Sequence, residues 1–348
     1  MKSKIILAAV LIVLLVSLAC NLPGLSQVQQ ATPTPTTDVS VLETLLPSQT
    51  PAPTAAPPTP TPQPAVRIDQ ADQALFLGQS DLAEREYQTA YDQSDDPQVQ
   101  AAAQLGAARV ELQRGNTDLA IAKLEQMGTR FDGTDAADEA LYFLAQAALE
   151  KGDPVQAAAY LESFLAAGEN PIESYLRVQL GDLYMQAGNY SAAVKAYEGA
   201  SQTESYAGDQ NLMVKIGRAY AGMQDYTNAL RIYLAVYDAA SSDFTKAQVN
   251  LLAGQIYQEL GMPEQAQARF LDSVNNYPRS YDSYSALVWL VDSGVEVDLL
   301  NRALVDYFAG QYGVAVDLFK SYLDLTVGHD GTAHYYRALA LRNTNQVQ

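Results

Sequence analysis

Cysteine occurs once in the 348 residues, at Cys20, so the chain can form neither an internal disulfide nor a thiolate metal cluster. Histidine occurs only at His329 and His334, five residues apart. Zinc held on one helix needs spacings of three or four and a third ligand, so the pair reads as surface or groove-edge histidines, not as a metal site. Cations are scarce: 21 Lys and Arg face 40 Asp and Glu, for a net charge of −19, and none lies between Lys4 and Arg67. Such a surface cannot displace counterions from a phosphate backbone, which excludes a general nucleic-acid binder. Gly-rich phosphate loops, nucleophile elbows and paired-carboxylate motifs are missing too, so the chain reads as neither an enzyme nor a cofactor carrier. What the chain does have is apolar residues at 48%, enough for a sizeable core, and 22 Tyr against 8 Phe and 1 Trp.

The first twenty residues read as an address. Lys2 and Lys4 precede an apolar run from Ile5 to Ala19, and Cys20, Pro23 and Gly24 follow. That run is shorter than the roughly 20 residues a helix needs to span a bilayer and has the layout of a secretory signal. Ser17-Leu18-Ala19-Cys20 resembles the lipobox of bacterial lipoproteins, although Ser17 stands where that family usually has Leu. The resemblance implies diacylation of Cys20 and two-chain anchoring of the mature protein to a membrane. An uncleaved membrane anchor with an incidental cysteine, or plain secretion, are the alternatives; all three place the bulk of the chain outside the cytoplasm.

From residue 21 to 66 the expectation is a disordered Thr/Pro-rich linker. Ten of the sixteen prolines fall between Ala31 and Pro64, a composition that cannot build a core and favours a semi-stiff stalk of up to roughly 100 Å. From Arg67 onward proline is sparse and one pattern recurs. A Gly-Asn/Asp/Gln-type turn falls at Gly78, Gly115, Gly152, Gly188, Gln224, Gly261 and Gly310, the first six spaced by 36 or 37 residues. Five residues after each comes Ala (Ala83, Ala120, Ala157, Ala193, Ala229, Ala266, Ala315), and four further on an aromatic or Leu (Tyr87, Leu124, Leu161, Tyr197, Tyr233, Phe270, Phe319).

This pattern resembles the tetratricopeptide repeat, in which each unit is a pair of antiparallel helices. Gly181, Gly217 and Gly254 stand where a small residue lets the two helices approach, with Tyr184, Tyr220 and Tyr257 three residues on. The resemblance implies an all-α, right-handed solenoid of about seven helix pairs over residues 67–348, after a signal peptide (1–20) and the linker. Between the sixth and seventh turns the spacing is 49, room for one additional helix at Ser283–Val291. Gly331–Arg342 reads as the first helix of an eighth unit, so the solenoid is expected to be truncated at its C-terminal end.

Ala286–Ala338 also resembles the helical superhelix of soluble lytic transglycosylases, most closely over Arg302–Tyr312, with Ala303 where Gly is usual. Those enzymes use a Glu in a Glu-Ser dipeptide followed by a Gly-Leu-Met-Gln-like segment. The Glu-Ser pairs here are Glu162-Ser163, Glu173-Ser174 and Glu204-Ser205, and none has that segment after it. Glu173 falls at a helix start, where the macrodipole accounts for it.

Tetratricopeptide arrays work through a concave face lined by the first helix of each unit. Candidate groove residues here are Tyr142, Gln146, Tyr175, Asp182, Arg218 and Gln255, suited to an extended peptide or a helix of a partner protein. The resulting expectation is a membrane-tethered, extracytoplasmic scaffold for protein–protein interaction in the cell envelope, with the peptidoglycan machinery a candidate partner. The alternative is the non-catalytic arm of a lytic transglycosylase whose catalytic domain is missing from this chain.

Overall fold

The structure, a computed structural model, describes residues 62–168, 170–326 and 329–344. Cys20, the signal and most of the spacer lie outside the described residues, which form sixteen helices and no strand. They are α1 (Pro64–Phe76), α2 (Ser80–Asp92), α3 (Pro97–Gln113), α4 (Thr117–Arg130), α5 (Asp135–Glu150), α6 (Pro154–Ala167), α7 (Glu173–Gln186) and α8 (Tyr190–Ser201). There follow α9 (Gln210–Gly222), α10 (Tyr226–Ala239), α11 (Asp243–Glu259), α12 (Pro263–Asn276), α13 (Tyr281–Asp292), α14 (Leu299–Phe308), α15 (Tyr312–Leu325) and α16 (Gly331–Asn343). None of them is long and apolar enough to cross a membrane.

Each two-residue turn stops one helix and starts the next. At Gly188-Asn189, Gly188 takes φ +72°, its N–H donates to Met185 O and the Asn189 N–H donates to Tyr184 O. This is the paired bond of a Schellman stop, which needs a left-handed residue. Asn189 then accepts from the Ala192 N–H and so caps α8. The same left-handed stop with its paired bonds recurs at all seven expected turns, including Gln224 at φ +60°, the one non-glycine at positive φ among the described residues, while the side-chain cap recurs at Asp153 and Asp225 only.

The turns close seven helix pairs, α1–α2 through α11–α12 and then α14–α15, which pack as expected. The seven Ala five residues after each turn are fully buried, and the aromatic or Leu four further on is at most 2% exposed. These larger residues fill the crossing of their own unit. The Tyr197, Tyr233 and Phe270 rings lie so close over Gly181, Gly217 and Gly254 that a Cβ there would stand 2.2–2.4 Å from a ring carbon. Contact between units falls partly to the tyrosines of the first helices: Tyr220 donates to Glu198 of the preceding unit at 3.0 Å, and the Tyr184 hydroxyl lies near Glu162 of its own preceding unit.

The additional helix is α13, two residues longer at its start and one at its end than the sequence pattern suggested. It ends like every first helix of a pair, with Gly294 at φ +70° and the Val295 N–H bonded to Leu290 O. Residues 295–298 then run without helix, and Val295 and Val297 tuck against the α12–α13 core where a second helix would have packed. α13 is therefore half a unit, and α14 opens a fresh pair. α16 stands as the first helix of an eighth unit.

Candidate functional site

Within the pairs, α1, α3 and α5 touch one another directly, whereas their partners α2, α4 and α6 do not pack side by side. The first helices thus form the inner face. The residue six before each of the first six turns falls on this face, and read in order it is Asp72, Arg109, Gln146, Asp182, Arg218 and Gln255. Sequence reasoning picked the last four and missed Asp72 and Arg109, which the turn register alone would have found.

Units one and four are built alike at this position. Asp72 accepts from Tyr87 Oη and Asp182 from Tyr197 Oη, both at 2.6 Å. Each carboxylate is also met by a cation of the next unit, Arg109 at 2.9 Å on Asp72 and Lys215 on Asp182. Burial, then the neighbouring carboxylate, pushes both tyrosine hydroxyls well above their ordinary pKa, so they remain donors at all physiological pH.

Between α5 and α7 the inner helices no longer touch, and three cavities adjoin one another along α5. Between α5 and α7 lies one of ≈ 220 Å³, lined by the apolar Ala145, Leu149, Leu161 and Leu183 and by Tyr142, Gln146, Gln179, Asp182 and Gln186. Gln146 also lines a second, of ≈ 460 Å³, with Phe76, Arg109, Leu112 and Phe143. Tyr142 also lines a third, of ≈ 560 Å³, with Asp135, Asp138, Glu139, Phe164 and Ile172. Apolar floors with a few convergent polar groups suit side-chain capture from an extended ligand.

The structure therefore brings Tyr142, Gln146 and Asp182 together. Tyr175 stands beside them, exposed, its hydroxyl accepting from the pocket residue Gln179 at 3.1 Å. Arg218 and Gln255 are exposed further along the face and line none of these three cavities. Phe76, 90% exposed at the end of α1, and Phe143 escaped sequence reasoning, because nothing in the repeat pattern marks the residues flanking the register position. His329 and His334 are both exposed and face each other, Nδ1 to Nε2, at 3.3 Å. Glu173 is the first residue of α7 and is ion-paired to Arg177 at 2.6 Å.

Family models of the tetratricopeptide repeat match residues 68–136, 148–205, 178–244 and 248–280, together more than half of the chain. The chain is a tetratricopeptide-repeat protein. Among solved structures it resembles the C-terminal part of a tetratricopeptide-repeat-containing protein from Cytophaga hutchinsonii. That match has 16% identity and a TM-score of 0.51, over 65% of this chain and 88% of the other. A tetratricopeptide-repeat protein from Parabacteroides merdae is 14% identical, with a TM-score of 0.42 over 80% of this chain and 98% of the other. MamA is 23% identical, with a TM-score of 0.40 over 50% of this chain and 90% of its own. At these identities the likeness is one of fold. No curated protein matches the chain. The tetratricopeptide fold is a scaffold for protein–protein contact, and this chain carries it over units one to six.

Proposed function

We propose that this tetratricopeptide-repeat protein is a membrane-tethered, extracytoplasmic scaffold that holds an extended segment of a partner protein along its inner face. The observation that carries the groove is the continuous row of open cavities from Phe76 to Leu183, joined through Gln146 and Tyr142. A packed, featureless inner face would offer shape but nowhere to seat side chains. The tether rests on the lipobox-like Ser17–Cys20 and on the Thr/Pro-rich stretch, which would let the repeats reach a partner away from the bilayer.

A photo-crosslinking residue placed at Gln146 in the full chain, expressed in its native cells, should give a discrete protein adduct. The same residue at Gln265 on the outer helix α12 should give none. Equal adducts at both positions would remove the groove from the proposal. For the tether, Cys20→Ala should shift the protein from the membrane to the soluble fraction or block its processing. Unchanged lipid labelling of that variant would refute acylation.

A further inference from the structure

The chemistry of the partner can be read from the walls of the groove, on the premise that the groove is the docking surface. Its aromatic content is exposed or half-buried: Phe76, Phe143, and Tyr142 with its ring centroid 5.7 Å from that of Phe164. Its charge is one-sided. Asp135, Asp138 and Glu139 line the widest of the three cavities, and none of them has an ion-pair partner among the described residues. Arg109, the cation that lines the neighbouring cavity, is already engaged, bridged to Asp72 and stacked 5.4 Å over the Phe143 ring.

Asp135 and Asp138 sit in the first turn of α5, where the macrodipole favours a carboxylate whatever the groove does. Glu139 lies past that turn, exposed on the wall of the cavity, and its carboxyl is raised above the usual range by partial desolvation against the neighbouring helices. Asp72 adds to the rise and Arg109 offsets it in part. Three carboxylates on one cavity wall with no ion-pair partner among the described residues, beside the Tyr142–Phe164 aromatic pair, are a setting that a cation complements.

We infer that the groove from α1 to α7 docks an extended, Lys- or Arg-bearing segment of its partner. The cationic head lies among Asp135, Asp138 and Glu139, its aliphatic stem crosses Tyr142 and Phe164, and a neighbouring apolar side chain fills the cavity between α5 and α7. An acidic segment meets repulsion along the same wall, and a neutral one desolvates Glu139 without compensation.

The test uses the full chain and two fluorescein-labelled Gly-Ser dodecapeptides, one carrying three Lys and three Leu, the other Glu in place of Lys. By anisotropy the Lys peptide should bind, and weaken about tenfold between roughly 50 and roughly 300 mM salt. Asp138→Asn with Glu139→Gln should weaken it about fivefold or more. Glu264→Gln with Asp317→Asn, an equal charge loss on the outer helices α12 and α15, should leave it unchanged. Equal losses from the outer pair would show diffuse attraction to an acidic chain and overturn the inference. Binding of the Glu peptide, lost on Tyr142→Ala, would also overturn it while leaving the groove standing. No binding of the Lys peptide overturns the cationic assignment alone; crosslinking at Gln146 decides the groove separately.

Discussion

Adding one methyl group at Gly217 should collide with the Tyr233 ring. A Cβ built there stands 2.4 Å from Cε1, 2.9 Å from Cδ1 and 3.0 Å from Cζ, and Tyr233 is 1% exposed, so the ring has no free space to retreat into. Overpacking of this kind costs about 1–3 kcal/mol, and replacing a mid-helix Gly by Ala returns about 1 kcal/mol of helix propensity. The net expectation for Gly217→Ala is a loss of up to about 2 kcal/mol, from the same two sources. Units two and three of the same chain indicate the compensation. There the crossing residue is Ala and the residue opposite is Leu, Ala108 with Leu124 and Ala145 with Leu161, all of them buried. Tyr233→Leu alone should leave a cleft above Gly217. It breaks no hydrogen bond of the ring, because the Tyr233 hydroxyl is buried without a partner. The double variant, converting unit five to the Ala/Leu pairing, should therefore cost less than the sum of the singles by about 1–2 kcal/mol, a coupling typical of residues in contact. Unit seven holds Ala303 with Phe319, so a pair can be built around both, and the Gly217→Ala penalty has to stay moderate. Urea unfolding of the four proteins, with hydrogen exchange to localise the effect to α9–α10, measures the cycle. Additivity within about 0.5 kcal/mol, or a stabilised Gly217→Ala single, would refute the claim that ring and glycine are seated on each other.

Gln224 holds a left-handed conformation that the other six turns give to glycine. Gln224→Gly should therefore raise stability by about 0.5–1 kcal/mol, the left-handed penalty less the extra chain entropy of glycine, and a lower Tm would contradict it. Asp306 on α14 is 6% exposed, and burial raises its carboxyl to about 6, with Arg302, 4.0 Å away, offsetting part of the rise. A carboxyl whose folded pKa lies above its unfolded value favours the fold while protonated. This favourable contribution is present at low pH and is lost as pH rises from about 4 to about 6, a loss on the order of 2–3 kcal/mol. Asp306→Asn should flatten that part of the stability–pH curve and be the more stable form at pH 7; an unaltered curve would mean that Asp306 is not the titrating group.

The fold was legible because its determinants are local and repeated. A left-handed turn, an Ala five residues on and a bulky residue at nine are each set by sterics within one helix pair, and seven copies make the register unambiguous. The half unit at α13 was legible only in part. The spacing of 49 announced a helix, while the loss of its mate depends on Val295 and Val297 finding the α12–α13 core, a tertiary preference with no periodic signature.

The groove is harder to read for a related reason. Register selects which residue of each first helix faces inward, and it did so for Gln146, Asp182, Arg218 and Gln255. Whether those residues share a cavity depends on the distance between successive first helices. Successive first helices touch from α1 to α5 and again from α11 to α13, but not from α5 to α7, where the connection after Ala167 runs through Asn170 and Pro171 before α7 begins at Glu173. Of the six equivalent positions, Arg109, Gln146 and Asp182 line the three cavities, while Asp72, Arg218 and Gln255 do not. The lining of the first set, aromatic and short of cations, gives the inner face its chemical direction. Shortening that loop by deleting Asn170 should draw α5 and α7 together, close the ≈ 220 Å³ cavity, and abolish crosslinking from Gln146 with little change in helix content. Retained crosslinking in a folded deletion variant would show that the spacing of the helices does not make the site.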